Sequence, residues 1–281
     1  MTDRYAVFGD PVEHSLSPQI HAAFALQTAQ DLSYGRQRVE PGRFAGAVAE
    51  FFAGGGSGLN VTLPHKIAAL TCADELTGRA RRAGAVNTLI ALADRRLLGD
   101  NTDGAGLVND LTRNLRWPLQ GKRLLILGAG GAVRGVLGPL LHERPRAVTI
   151  ANRTPDRARV LAAAFQGDGE IVHCAYPALA GQRFDLIING TSASLSGALP
   201  ALPEGLLAAD AGCYDMMYAA RDTVFLTWGR AQGAARLADG LGMLVEQAAE
   251  AFRQWRGVAP DTAPVIAALR AELARRAGGG Q

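Results

Sequence analysis

The chain has 281 residues, 48% of them hydrophobic and 20% charged, and its 29 basic and 26 acidic side chains leave a formal net charge of +3. That length and apolar content suit two domains, each burying a core of its own. So small a charge excess sets up no strong basic field and gives no support for a nucleic-acid partner. The N-terminus, Met1-Thr2-Asp3-Arg4-Tyr5, lacks the apolar core of a secretory signal, and the most membrane-like stretch, 124–141, is interrupted by Arg134 and five glycines. Cys72, Cys174 and Cys213 are odd in number and, like the five histidines, show no metal-ligand spacing. Reduced thiols, no metal site and a soluble, cytoplasmic protein without membrane association are expected.

In chain order, the pattern predicts a strand over 5–9 and a helix over 18–30, with Ser17 as N-cap and Pro18 in the first turn. A strand over 32–39 and a helix over 43–52 follow. The glycine cluster 54–58 leads directly into a strand over 59–62 and reads as a turn inside a domain, not a linker. Helical stretches over 64–70 and 73–82 precede a hairpin with arms over 85–92 and 97–99. The opening third is therefore one α/β unit with an antiparallel edge.

A helix over 104–115 carries the chain to 117–122, where the pattern breaks before a strand over 124–127. Further strands over 148–150, 184–189 and 209–213 alternate with helices, as a doubly wound nucleotide-binding sheet requires. The last two patterns, 243–256 and 262–276, are long helices with no strand between them. By periodicity alone they could cap the second domain or return to the first. The terminal Gly278-Gly279-Gly280-Gln281 reads as a disordered tail.

The 124–127 strand feeds Gly128-Ala129-Gly130-Gly131-Ala132, whose glycines let backbone N–H groups at a helix N-terminus approach a pyrophosphate. Val133 stands at the third glycine position of G-x-G-x-x-G. About two dozen residues after the loop, an NAD-binding unit places Asp or Glu on the ribose 2′-OH. Here the chain carries Asn152-Arg153-Thr154 and then Arg157. A carboxylate would repel a 2′-phosphate, whereas guanidinium groups grip it, so NADP(H) is the expected cofactor.

Other polar residues gather at strand-to-helix junctions. Ser15 and Ser17 alternate in His14-Ser15-Leu16-Ser17-Pro18 and could both face a polyhydroxylated ligand at the carboxyl edge of a sheet. Ser17 could equally do no more than cap its helix. Asn60-Val61-Thr62-Leu63-Pro64-His65-Lys66 places Thr62 and Lys66 at a second junction. Asn87 and Asp103 belong to Gly84-Ala85-Val86-Asn87-Thr88 and Gly99-Asp100-Asn101-Thr102-Asp103-Gly104, where Asp100 and Asn101 could simply shape a turn and Asp103 could be an N-cap. A Lys66–Asp103 pair at a hydroxyl or carbonyl would supply acid–base chemistry beside a hydride carrier. Two clusters remain, Tyr214-Asp215-Met216-Met217-Tyr218 and Gly240-Leu241-Gly242-Met243-Leu244-Val245-Glu246-Gln247, the second with Gln247 on an otherwise apolar helical face.

Together with Asn189, these segments run in order over nearly the whole chain and resemble the shikimate/quinate dehydrogenase family. The resemblance implies NADPH-dependent, reversible reduction of 3-dehydroshikimate to shikimate, a step toward chorismate and the aromatic amino acids, with Lys66 and Asp103 as catalytic pair. It implies substrate contacts at Ser15, Ser17, Thr62, Lys66, Asn87, Asp103, Tyr218 and Gln247. Cofactor contacts are implied at Gly128, Ala129, Gly130, Gly131, Ala132, Asn152, Arg153, Thr154, Arg157, Met216 and Gly240. The implied architecture is two open α/β domains: a discontinuous substrate-binding domain of 1–103 and 240–281, and a Rossmann-like NADP-binding domain of 104–239. The C-terminal helices then return to the first domain. The partner is a small molecule, and the assembly a monomer or homodimer. Gly78 lies where some family members carry an acidic or polar side chain, so any contact from it is absent here. The turn Gly190-Thr191-Ser192-Ala193-Ser194-Leu195 departs from the usual Ala-Thr-Ser-x-Gly.

In the implied mechanism Lys66 protonates the alkoxide that hydride delivery creates, while Asp103 orients the lysine and the substrate hydroxyl. Domain closure is expected, because hydride transfer needs the reacting carbons close together and water excluded. Three rival readings stand beside this one: an NAD-using quinate/shikimate dehydrogenase, a non-catalytic metabolite sensor, and an NADP oxidoreductase sharing only the nucleotide domain. Arg153 and Arg157 disfavour the first, the Lys66–Asp103 pair the second, and the first-domain motifs the third.

Overall fold

The computed structural model describes residues 2–191, 193 and 197–278. Ser192, Ser194 and Leu195 of the turn after Asn189, and residues 279–281 of the expected tail, lie outside the described residues. The chain forms two compact units, one running up to Gly106 and including Leu244–Val265, the other comprising Leu107–Met243 and the chain from Ile266 onward.

The first unit contains β1 (Asp3–Gly9), α1 (Ser17–Thr28), β2 (Leu32–Arg38), α2 (Phe44–Ala53), β3 (Gly56–Val61), β4 (Glu75–Leu76), α3 (Gly78–Ala83), β5 (Thr88–Ala91) and β6 (Leu97–Asp100). Its sheet has the order β2-β1-β3-β5-β6-β4. The β1 pairings are parallel, whereas β5 is antiparallel to both β3 and β6. The run Tyr5-Ala6-Val7-Phe8 is buried throughout, as an inner parallel strand covered on both faces must be. Phe8, Val48, Leu59, Val86 and Leu89 form part of the core on one face.

Two expected helices differ here. Residues 64–70 form turns leading into a 3₁₀ segment, Ala68–Cys72. The 73–82 stretch splits because Glu75–Leu76 pairs with β6, so the helix starts only after Thr77, whose Oγ1 accepts from Ala80 N at 3.2 Å. Nor is β6 the sheet edge, since β4 lies outside it.

The second unit begins at Leu107, within α4 (Asp103–Asn109), which continues as a π-helical turn over Asp110–Asn114. It contains β7 (Arg123–Leu127), α5 (Gly131–His142), β8 (Ala147–Ala151), α6 (Pro155–Ala164), β9 (Ile171–Cys174), β10 (Phe184–Asn189), β11 (Leu207–Asp215), α7 (Val224–Ala231) and β12 (Arg236–Asp239). Helices α8 (Leu241–Arg256) and α9 (Ala263–Gly278) end the described chain. The sheet is wholly parallel with the order β12-β11-β10-β7-β8-β9. That is the doubly wound dinucleotide-binding order, reversing between β7 and β10, and ligands in such folds lie beyond the carboxyl ends of the strands flanking the reversal. Leu124 and Ile126 belong to one core and Leu125 and Leu127 to another, so both faces of β7 are covered.

The unit boundaries differ from expectation at the C-terminus. From Ile266 onward the chain groups with the second unit. There Arg270 holds Asp239 through two bonds of 2.8 and 2.5 Å, and Arg221 donates to the Ala277 carbonyl at 3.3 Å.

Gly128 turns the chain after β7 with φ of 106°, a conformation that glycine adopts without strain. Val133, in the position of the third glycine, is fully buried, and its Cγ2 occupies the space that a Cβ on Gly190 would need. The third glycine normally lets helix and strand approach closely. In this chain the helix carries the bulk and the turn after β10 yields.

Gly190→Ala should therefore destabilise the protein by about 1–3 kcal/mol, as overpacking does, and adding Val133→Ala should relieve most of that loss. Denaturant unfolding of both single variants and the double variant measures the coupling. Strictly additive losses would show that the two positions do not compete for space.

Candidate active site

In the first unit, Lys66 lies in the turn after β3 and Asp103 opens α4. Their Nζ and Oδ2 are 2.6 Å apart, with 13% and 5% of the side chains exposed. Asn87, just ahead of β5, donates from Nδ2 to Asp103 Oδ1 at 2.8 Å and to Thr102 Oγ1 at 2.9 Å, while its Oδ1 accepts Thr102 N at 2.8 Å. Gln247 on α8 places Oε1 3.4 Å from both Asn87 Nδ2 and Thr102 Oγ1. Residues distant in sequence thus join one hydrogen-bonded group. Asp103 does not cap from outside the helix; it is the first helical residue, and its N–H donates to Asn101 Oδ1 at 3.2 Å.

Ser17 is likewise the first residue of α1 rather than its N-cap. Leu16 holds the cap position and makes no side-chain cap bond, while Ser15 Oγ accepts Ser17 N at 3.3 Å. The Ser15 and Ser17 hydroxyls instead lie 3.1 Å apart. Thr62, half-buried after β3, donates its N–H to the Phe8 carbonyl at 2.9 Å, which ties its turn to the end of β1.

Sequence reasoning missed the layer behind these groups. Tyr34 Oη donates to Asn60 Oδ1 at 2.7 Å, Asn60 Nδ2 to Thr88 Oγ1 at 3.1 Å, and Thr88 Oγ1 to Asn87 Oδ1 at 2.8 Å. Asn60 belongs to the 60–66 segment, but nothing local marks Tyr34 or Thr88 as its side-chain partners.

In the second unit, Gly128, Ala129, Gly130, Gly131 and Ala132 join β7 to α5. Gly130 holds the α5 cap position, and no side chain caps that end. The N–H groups of the first turn therefore suit a ligand anion. Asn152, Arg153, Thr154 and Arg157 follow β8. Asn152 Nδ2 donates to the Thr154 carbonyl at 2.8 Å, while Arg153, Thr154 and Arg157 are exposed. An uncapped glycine loop for a pyrophosphate and two exposed guanidinium groups for a 2′-phosphate form a donor set that fits NADP(H).

At the end of β10, Asn189 Nδ2 donates to the fully buried Asp215 at 3.0 Å, and Asn189 Oδ1 accepts Thr191 N at 3.1 Å and Thr191 Oγ1 at 2.8 Å. Asp215 also receives Met217 N at 3.1 Å and Thr223 Oγ1 at 2.6 Å. Met216 N donates to the Asn189 carbonyl at 2.9 Å and Gly240 N to the Met217 carbonyl at 3.0 Å, so Met216 and Gly240 meet at these strand ends. Tyr218 is half-buried in the same unit. Among the described residues, no group of three or more His, Cys, Asp or Glu side chains could hold a metal ion, and no helix is long and apolar enough to cross a membrane.

Three sequence patterns match successive parts of the chain: shikimate dehydrogenase substrate binding domain over 7–89, shikimate / quinate 5-dehydrogenase over 110–196, and shikimate 5'-dehydrogenase C-terminal domain over 240–270. The shikimate dehydrogenase (NADP(+)) of Methylococcus capsulatus is 58% identical over 270 residues, which are 96% of this chain and 97% of that protein. The chain belongs to the shikimate dehydrogenase family. Among solved structures, an Ael1 enzyme from Pseudomonas putida is 46% identical, with TM-score 0.87 and 95% and 98% of the two chains covered. Shikimate 5-dehydrogenase from Thermus thermophilus, in complex with NADP(H) and shikimate, is 36% identical with TM-score 0.83, covering 98% and 99%. The two-sheet α/β architecture is thus the one expected of the family.

One buried group of the first unit does not belong to the hydrogen-bonded layer. His21, on α1 four residues after Ser17, is 1% exposed and stacks on Tyr34, with ring centroids 4.2 Å apart. Phe24, Phe252 and Trp255 complete its surroundings, and neither ring nitrogen has a hydrogen-bond partner. Burial pushes the imidazole down to about 3, against a weaker opposing effect of the Asn60 side chain. The unfolded chain takes up this proton near pH 6.5, so stability that is full above that pH should fall as the pH drops toward 3. His21→Phe should flatten that part of the curve. Urea midpoints across this range test it, and parallel curves for the two proteins would place the acid sensitivity elsewhere.

Proposed function

We propose that this chain reduces 3-dehydroshikimate to shikimate, reversibly and with NADPH, and that Lys66 and Asp103 are its acid–base pair. The observation that carries the reading is the 2.6 Å contact of Lys66 Nζ with Asp103 Oδ2, bound into one network with Asn87 and Gln247, in a chain of this family. When bound, NADPH supplies the hydride. Lys66 gives a proton to the oxygen that becomes a hydroxyl and takes one back in the reverse direction. Asp103 holds the ammonium in place from one carboxylate oxygen while Asn87 holds the other.

Ser15, Ser17, Thr62, Asn87 and Gln247 provide hydroxyl and amide groups for the carboxylate and hydroxyls of the substrate, and Tyr218 adds a further contact. The loop from Gly128 to Ala132 takes the pyrophosphate, Arg153 and Arg157 take the 2′-phosphate with Asn152 and Thr154 shaping their turn, and Met216 and Gly240 complete the cofactor site. The first unit is then the substrate-binding part and the second the NADP-binding part. The setting is cytoplasmic aromatic amino acid biosynthesis, by a monomer or homodimer.

Lys66→Ala should lower kcat for NADP-linked shikimate oxidation by about 10²–10⁴ with little change in the KM for shikimate. Near-normal turnover at saturating substrate would remove Lys66 from its role. Arg153→Ala with Arg157→Ala should raise the KM for NADP⁺ about tenfold to a hundredfold, the size of one or two charge-assisted hydrogen bonds, and leave that for NAD⁺ unchanged. Assays of shikimate and quinate against each cofactor read both effects, and an equal rise for NAD⁺ would show that the arginines do not discriminate the 2′-phosphate.

A further inference from the structure

Asp100 ends β6 with no exposed side-chain surface. Its Oδ1 accepts Thr77 Oγ1 at 2.6 Å, Arg79 Nε at 2.7 Å and Asn101 N at 2.8 Å, and its Oδ2 accepts Arg79 Nη2. A turn-shaping aspartate needs only its own neighbours. This one is gripped by the guanidinium of α3, and the same Nη2 reaches Glu250 Oε1 on α8 at 2.8 Å. Burial would push the Glu250 carboxyl up, but hydrogen bonds from Arg253, Arg79 and Gln254 hold it down at about 2. Glu250 lies three residues after Gln247, a spacing that places both on neighbouring positions of one helix face.

The other end of this clamp reaches the acid–base pair. Asp100 accepts Asn87 N on its backbone carbonyl at 3.0 Å. Asn101, fixed by Asp100, uses its side chain to donate to the Ala85 carbonyl at 2.9 Å and to accept Asp103 N at 3.2 Å. Arg79 therefore joins the end of β6, to which the segments carrying Asn87 and Asp103 are bonded, to the helix that carries Gln247. We infer that Arg79 is a positioning residue for the reaction: through Asp100 and Glu250 it sets Asp103, Asn87 and Gln247 in register around the substrate. The inference rests on the acid–base reading of Lys66 and Asp103. A planar guanidinium can serve both carboxylates at once from fixed directions, which a point-charge ammonium cannot.

The test is steady-state shikimate oxidation by full-length Arg79→Ala, Glu250→Gln and Lys66→Ala proteins, with melting curves for each. Arg79→Ala should lose tenfold or more in kcat and raise the KM for shikimate several-fold, with the KM for NADP⁺ within twofold of the parent. Millimolar guanidinium should restore part of that kcat, and none of the kcat of Lys66→Ala. Glu250→Gln keeps the Arg79–Asp100 pair and should raise the KM for shikimate with little effect on kcat. Folded Arg79→Ala protein with parental kcat and KM, or with a loss that guanidinium leaves untouched, would overturn the inference. If Arg79→Ala does not fold, an unchanged KM for shikimate in Glu250→Gln overturns it instead. Parental turnover in Lys66→Ala would sink the acid–base reading alone, because the KM effects of Arg79 and Glu250 are read independently of it.

Discussion

A lysine ammonium and an aspartate carboxylate in contact and mostly out of water set the terms for the first unit. Withdrawing two charges from solvent costs several kcal/mol for each ion, and their attraction offsets this only when the remaining lone pairs and protons are also satisfied. Asp103 meets that condition through Asn87 on its second oxygen and through its place in the first turn of α4, where unpaired N–H groups favour a negative charge. Lys66 meets it only in part. An ammonium has three donors, and Asp103 accepts one, so the pair keeps capacity for a further oxygen acceptor. The threonines and asparagines behind the pair follow from this requirement, since each hydrogen bond they make fixes a group that would otherwise be buried without a partner.

The same device recurs at other strand ends. Asp100 ends β6, Asp215 ends β11 and Asp239 ends β12, and all three carboxylates are buried. Each accepts a backbone N–H from one or two residues further on: Asn101 on Asp100, Met217 on Asp215, and Leu241, the first residue of α8, on Asp239 at 3.2 Å. Loops beyond the carboxyl ends of strands carry the ligands in open α/β folds, yet loops are also the segments that open most readily. A buried carboxylate that loses its donors suffers a large desolvation penalty, so each of these loops resists displacement.

The candidate groups were legible because they are concentrated in short strings at junctions, and the ordered strings pointed to the family. The partners of those strings were not legible. Thr77 and Arg79 meet at Asp100, Glu250 reaches the same Arg79 from α8, and Arg270 reaches Asp239 across 31 positions, with no local pattern to announce these contacts. Among the fold elements, β4, β9 and β12 run for two to four residues, too short for a hydrophobic period. Each exists because a neighbouring strand offers it a ladder: β6, β8 and β11 respectively. Ser17 misled for the opposite reason. Serine before proline is a sound local signal for a helix start, but the turn in which Ser15 N donates to the Val12 carbonyl at 3.0 Å moves the cap position to Leu16.

Val133 on α5 and Gly190 in the turn after β10 are two sides of one packing arrangement. A valine in the third glycine position suggests that a close helix–strand approach has been lost, and a glycine where the turn after Asn189 usually has alanine suggests a different loop. In space Val133 fills the volume that Gly190 leaves open, so the small residue has moved from the helix to the turn facing it. The backbone pattern beside them is intact: Gly190 N donates to the Leu127 carbonyl and Met216 N to the Asn189 carbonyl, both at 2.9 Å. Because the crevice between β7 and β10 is built from those backbone groups, a change in both side chains that conserves their joint volume leaves it available for a cofactor, whereas a change in either alone would not.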